Sequence, residues 1–430
     1  MRSADAKQEA ADLRAEYERL SKDYAATVPG WRPAWPSSGS LLFVAPDTYS
    51  GDEPNGERYR TERNQYADQL FELANRAADR GQLSLAFEWA TEAVRENPDH
   101  AAARRALGYE QHEGKWLTPY AKRMVVAGKH WDPAAGWISD SDDGKARKPG
   151  RDGWQVRTDN FLVISNDSQA AAAELAAKLE RLYQIWRQLF AGFSYSEREV
   201  QQLFAGEREP RERHRPFRVF YHRDKQDYVL KLQRRQPRIA ETLGIYFDGE
   251  REAHFFAGDD KAGDNRNTAT LHHEAVHQLF QETRPAARQV GRDANFWIVE
   301  GIATYFETLR EHRDPAAGLY YTIGEASAGR LPAAKERLLV SEFYVPLDEL
   351  TRLGKVPLQR YPELAKLYSQ SAGLAAMLMD GGGGRYREPL VGYLTTVYAG
   401  RDEPGSLAEA TGESSATLDA AYREYLESLP

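Results

Sequence analysis

Two histidines and a glutamate lie close enough in the chain to do metal chemistry. In Leu271-His272-His273-Glu274-Ala275-Val276-His277-Gln278, His273 and His277 are four residues apart and Glu274 lies between them. On a helix that spacing stacks both imidazoles on one face, within reach of a single ion. This is the H-E-x-x-H arrangement, in which the two His bind Zn²⁺ and the Glu serves as general base beside an open coordination position. With 10 His in 430 residues, chance is a poor source of the pattern. His272 belongs to a different face, because one step along a helix turns its side chain about a third of a turn from His273.

A catalytic zinc takes a third protein ligand and keeps one position open. Downstream runs Asn295-Phe296-Trp297-Ile298-Val299-Glu300-Gly301-Ile302-Ala303-Thr304-Tyr305. Glu300 is a lone carboxylate in an apolar run, a costly placement unless it is paired or binds metal. It is the candidate third ligand, and Zn²⁺ is the expected cofactor.

H-E-x-x-H followed by W-x-x-E-G-x-A-x-Y resembles the gluzincin metallopeptidases of the peptidase MA clan, notably the aminopeptidase N type and more distantly thermolysin. The resemblance implies His273, His277 and Glu300 as zinc ligands and Glu274 as the base that polarises water. It matches Gly301 and Ala303 to small positions packed on the first helix, and Thr304 to a position near a ligand His. Here 22 residues separate His277 from Glu300, a longer spacer than is usual in that group. The polar stretch 282–294, with Pro285 and Gly291, takes up the excess as a longer loop. The G-x-M-E-N exopeptidase signature is missing, so the resemblance does not extend to amino-terminal specificity.

Before the motif come two short, aromatic-rich, strand-like runs, Gly244-Ile245-Tyr246-Phe247 and Ala253-His254-Phe255-Phe256-Ala257. The second is similar to the edge strand that pairs with an extended substrate in this clan, a general way to hold a peptide. After the motif, the Tyr368-Ser369-Gln370-Ser371-Ala372 helix completes a resemblance, over roughly residues 100–430, to a bacterial family of peptidase-MA-like proteins. In the aminopeptidase-like families a Tyr from such a helix stabilises the oxyanion, which implies that role for Tyr368. Losing one such donor commonly costs about 3 kcal/mol. Tyr305 is the weaker alternative.

The remaining chain must position these groups. Residues 1–30 read as a charged helix and 31–62 as linker. A helical hairpin follows at about 64–96, with Leu70, Leu73, Ala74, Ala77, Ala86, Ala90 and Ala93 at tetratricopeptide-like positions, and Leu107-Gly108 recurs 34 residues after Leu73-Ala74. This module, taken as 63–130, reads as a helical unit that leans on the rest of the chain, with a structural role expected first and a protein partner as the alternative. Residues 131–158 read as linker; Asp140 to Gly144 lacks the spacing and terminal Glu of a calcium loop. From 159 the pattern predicts strands at Phe161–Ile164 and Phe217–Tyr221 around a helix from Ala170 to Phe190. After Glu307 it predicts mostly helix, with Gly381 to Gly384 as a flexible joint. The fold class expected is α+β: a helical tetratricopeptide-like module, then a zincin-like domain over 159–430 with a small mixed sheet and a helical lobe.

Composition fits a globular enzyme, with 41% hydrophobic and 11% aromatic residues. A net charge of −8 argues against nucleic acid as partner. The Arg-rich stretch 207–238 interleaves acids with bases and reads as a solvated face. There is no Cys, which excludes disulfides, thiolate ligands and Cys nucleophiles. No apolar run approaches the about 20 residues of a transmembrane segment, and the charged start has no apolar signal core. Because the resembling family is often exported, the expectation is an exported protein whose leader is absent from this sequence, with a cytoplasmic location as the alternative. The expected function is a zinc-dependent metallopeptidase acting on a peptide or protein substrate. The alternative is a non-catalytic zinc-binding scaffold that recruits a partner through the helical module.

Overall fold

In the computed structural model, which describes residues 2–27, 39–45, 60–139, 149–150, 152–207, 215–258, 266–314 and 318–430, strands fall where short apolar or alternating runs meet turn residues. In chain order they are β1 (Ser40–Phe43), β2 (Glu110–His112), β3 (Lys115–Leu117), β4 (Lys129–Asp132), β5 (Gly136–Ser139), β6 (Trp154–Arg157), β7 (Phe161–Ser165), β8 (Phe217–His222), β9 (Gly244–Phe247), β10 (Glu252–Phe256), β11 (Arg310–Asp314) and β12 (Gly318–Ile323). Helices fill most of the rest, so the protein is a mixed α+β chain. Packing divides it into two units, one comprising Met1–Leu107, Arg187–Glu209 and Arg284–Pro430, the other Gly108–Trp186 and Pro210–Thr283.

The second unit holds a five-stranded sheet in the order β6-β7-β8-β10-β9. The central pairs β7–β8 and β8–β10 are parallel, and the outer pairs β6–β7 and β10–β9 are antiparallel. A parallel pair needs a crossover, and the helix Gln169–Leu189 opens the one between β7 and β8. Ala172, Leu175, Ala176, Leu179, Leu182 and Trp186 are buried along one stripe of that helix. The stretch 131–158, expected to be linker, contains β5 and β6. Ile138 and Val156 are buried there and Trp137 packs edge-on against Trp131, so apolar and aromatic side chains outweigh the Gly, Asp and Ser around them. The Asp140 to Gly144 segment lies outside the described residues.

The first unit contains the expected helical hairpin, Arg60–Asp79 and Leu83–Glu96, with Leu70, Ala74, Ala77, Ala86 and Ala90 fully buried. Glu92 is buried between the hydroxyls of Tyr17 (2.6 Å) and Tyr66 (2.9 Å), which donate to it. The 34-residue recurrence is not carried into a second hairpin. The helix Ala101–Ala106 has only six residues, Gly108 takes φ +93, and the chain turns into β2.

Two further expectations in this unit need correcting. Residues 40–43, expected as linker, and 310–314 and 318–323, expected as mostly helix, form the antiparallel sheet β1-β12-β11. Leu41-Leu42-Phe43 and Tyr320-Tyr321-Thr322-Ile323 favour strands, whereas the charged run of β11 carries no readable period. The joint Gly381 to Gly384 breaks the helix, with Gly381 extended (φ −63, ψ 143) and Gly382 and Gly383 left-handed at φ +57 and +68. Among the described residues no helix is long and apolar enough to cross a membrane.

Candidate functional site

The helix Arg266–Thr283 carries the H-E-x-x-H residues and belongs to the second unit. It buries Ala275, Val276, Leu279 and Phe280, and Phe280 meets the Trp186 ring edge-on at 5.3 Å. That buried face fixes the rotation of the helix and leaves His273, Glu274 and His277 half-buried. The two Nε2 atoms lie 3.1 Å apart, with the rings nearly perpendicular. Two nitrogens bound at the usual length to one tetrahedral zinc would be about 3.3 Å apart, so this donor pair fits a shared ion. His272 is half-buried on the same helix.

Glu274 is held by the sheet. Its Oε2 accepts the main-chain N–H of Tyr246 at 2.8 Å. Tyr246 sits on β9, the outer strand, opposite Ala253 of β10. The same helix is tied to the sheet again by Gln278, whose Nε2 donates to the Arg218 carbonyl (3.1 Å) and to Glu282 (2.8 Å). The run 253–257, expected to be the substrate-binding edge, is therefore interior: β10 lies between β8 and β9, and β9 is the edge. Both runs are short and aromatic, and their composition does not say which of the two is outermost.

Glu300 belongs to the first unit, on the helix Phe296–Phe306. Every other residue of that helix is buried, and Glu300 alone is half-buried. The start of the helix is riveted by Asn295, which is fully buried with φ +54. Its side chain accepts from the Tyr393 hydroxyl (2.7 Å) and donates to Asp402 and to the Glu403 carbonyl (both 2.9 Å). Burial, and then the charge of Glu300, push the Tyr398 phenol up. Gly301 faces the helix Leu364–Gly384: a Cβ there would lie 2.7 Å from the Ser371 carbonyl oxygen. Gly301 thus packs on this later helix. Thr304 turns its hydroxyl back to the Glu300 carbonyl at 2.6 Å, and Ala303 is buried.

Tyr368 is half-buried one turn before Ser371, with the Arg330 guanidinium 5.6 Å from its ring centre. It shares a unit with Glu300, and their two helices pack together through Gly301 and Ser371. Tyr305 is fully buried and donates to Asp380 at 2.8 Å, so it serves that carboxylate and not an oxyanion.

Sequence reasoning missed a second histidine pair, on β8 and β10. His222 and His254 are both buried. His222 Nδ1 lies 3.1 Å from Asp227, its Nε2 3.1 Å from His254 Nδ1, and His254 Nε2 3.6 Å from Glu252. Burial pushes both imidazoles down, His254 to about 3. No local spacing could reveal the pair, because the sheet register alone brings the two strands together.

Residues 267–323, which run from the H-E-x-x-H helix through β12, match a family described as "Protein of unknown function (DUF1570)". No curated protein matches the chain.

Proposed function

We propose that this chain is a zinc-dependent hydrolase of peptide bonds, with His273, His277 and Glu300 as ligands and Glu274 as general base. The observation that carries the reading is the 3.1 Å approach of the two Nε2 atoms on one helix, with Glu274 next to His273. His273, His277 and Glu300 are each half-buried and of metal-ligating type. When bound, zinc acts as a Lewis acid and brings the pKa of water toward about 7. Glu274 takes the proton and passes it to the leaving amine, and its bond to the Tyr246 N–H fixes the orientation of its carboxylate. The outer strand β9 offers an extended peptide a backbone to pair with, and Tyr368 supplies the donor for the developing negative charge.

The test is the zinc content of the purified protein beside His277→Ala, followed by peptide-library cleavage with Glu274→Gln as control. About one zinc per chain, lost in the variant, and cleavage abolished in the control are expected. Failure to take up zinc on reconstitution would end the proposal. Zinc without cleavage of any peptide would leave a metal-binding scaffold instead.

A further inference from the structure

The first unit has a half-open pocket of about 430 Å³ whose wall mixes both signs of charge. Arg387, Glu88, Asp380, Glu92 and Arg14 line it, with Trp89 as an apolar wall. Most of these groups already hold a partner, and each carboxylate keeps lone pairs for a further donor. Arg387 is buried, pairs with Glu88, donates to Ser40 Oγ at 2.7 Å and lies 3.6 Å from Asp380. Glu92 takes its two tyrosine hydroxyls.

Arg14 is different. Its Nε is shielded from water and has no hydrogen-bond partner. The guanidinium lies against Gly384, where a Cβ would come within 2.6 Å of Nη2, and Gly384 takes φ +76. Burial, then the neighbouring Arg387, lower the Arg14 guanidinium to about 10.

We propose that this cavity binds a small zwitterion of amino-acid to dipeptide size, its carboxylate on Arg14 and its ammonium on the facing carboxylates of Asp380, Glu88 and Glu92. A guanidinium whose Nε–H is shielded and unmatched is costly and is best relieved by a carboxylate, whose two oxygens match its fork. A bare anion would meet the carboxylates of Glu18, Glu88, Glu92 and Asp380 in the same pocket, and a bare cation would meet two guanidiniums. A ligand carrying both charges satisfies each wall. The volume lies in the lower part of the usual range for small-molecule sites. This inference does not depend on the zinc reading.

Isothermal titration of the full chain tests it, on a Glu274→Gln background so that no turnover contributes heat. Alanyl-alanine is titrated beside acetate and propylamine, which carry one charge each. The dipeptide should bind while acetate and propylamine do not, and Arg14→Met should weaken it at least about tenfold, a change of one decade in Kd. Ala15→Leu, which narrows the cavity from the exposed side of its first helix, should weaken it as well and keeps the test decisive if Arg14→Met fails to fold. No dipeptide binding, acetate binding as tight as the dipeptide, or unchanged binding in a folded Arg14 or Ala15 variant would each overturn the proposal.

Discussion

The main-chain N–H of Tyr246 donates to Oε2 of Glu274 across 2.8 Å, so the carboxylate of the H-E-x-x-H helix is seated on the outer strand of the sheet. A hydrogen bond to a charged acceptor is stronger than a neutral one. The bond ties the proposed base to a backbone position and not to another side chain. Glu274→Gln keeps an oxygen to accept it, so the fold and the zinc content should stay unchanged. Loss of the base should lower turnover at least about a hundredfold. Steady-state kinetics beside metal analysis would decide, and full activity in the variant rules out the mechanism.

Glu300→Ala should act on the metal rather than on the fold. The side chain stands at the one half-buried position of its helix, so its loss leaves no large cavity. Expected is a weaker hold on zinc, read as loss of metal during dialysis against a mild chelator. Retention equal to wild type would remove Glu300 from the ligand set.

Gly301→Ala sets two effects against each other. Alanine in a helix interior gains up to about 1 kcal/mol over glycine. Here its Cβ would lie 2.7 Å from the Ser371 carbonyl oxygen, and overpacking of this kind costs about 1–3 kcal/mol. The collision should win, and the thermal midpoint should fall.

The two tyrosines separate cleanly. Tyr305→Phe strips a donor from the buried Asp380 and should cost about 1–3 kcal/mol of stability without a specific effect on turnover. Tyr368→Phe should leave the midpoint alone and lower turnover by about 3 kcal/mol, on the order of a hundredfold. Chemical denaturation and kinetics on both variants check the split.

His222 and His254 make the stability depend on pH. Burial holds both below the ordinary value of 6.5, so the unfolded chain binds more protons there than the folded one. Their contribution is fully present above 6.5 and is lost as the pH falls toward the folded value of His254, about 3. Asp380 and Glu388, pushed up by burial to about 6, work in the opposite sense: what they contribute is present at low pH and is lost as the pH rises through about 6. His254→Phe isolates the first effect and can keep the stack on Phe220. Its urea midpoint should vary less steeply than wild type between about pH 7 and pH 4, and an unchanged slope would refute the assignment.

What was legible in the sequence was periodic or local. The apolar spacing of Ala275, Val276, Leu279 and Phe280 carries the helix that presents His273 and His277, and the apolar run around Glu300 carries its own. The strands β7 to β10 also announce themselves by composition. Order within a sheet does not, which is why β10 was taken for the edge. Charged strands such as β11 hide among polar loops, because their pairing with β12 supplies what their side chains do not. The Tyr246 contact uses a backbone N–H that every residue but proline has, so nothing in residue type could mark it.

The interleaving of the two units has a consequence for a chain made from one end to the other. The second unit is complete once residue 283 has emerged, whereas the first still lacks 284–430. Until then the buried face of the hairpin 60–96 has only part of its partners, and apolar surface left waiting in this way is where large chains aggregate. Ribosome-held chains just long enough for residue 283 to have left the exit tunnel should therefore protect β7 to β10 from protease while the hairpin remains open to it.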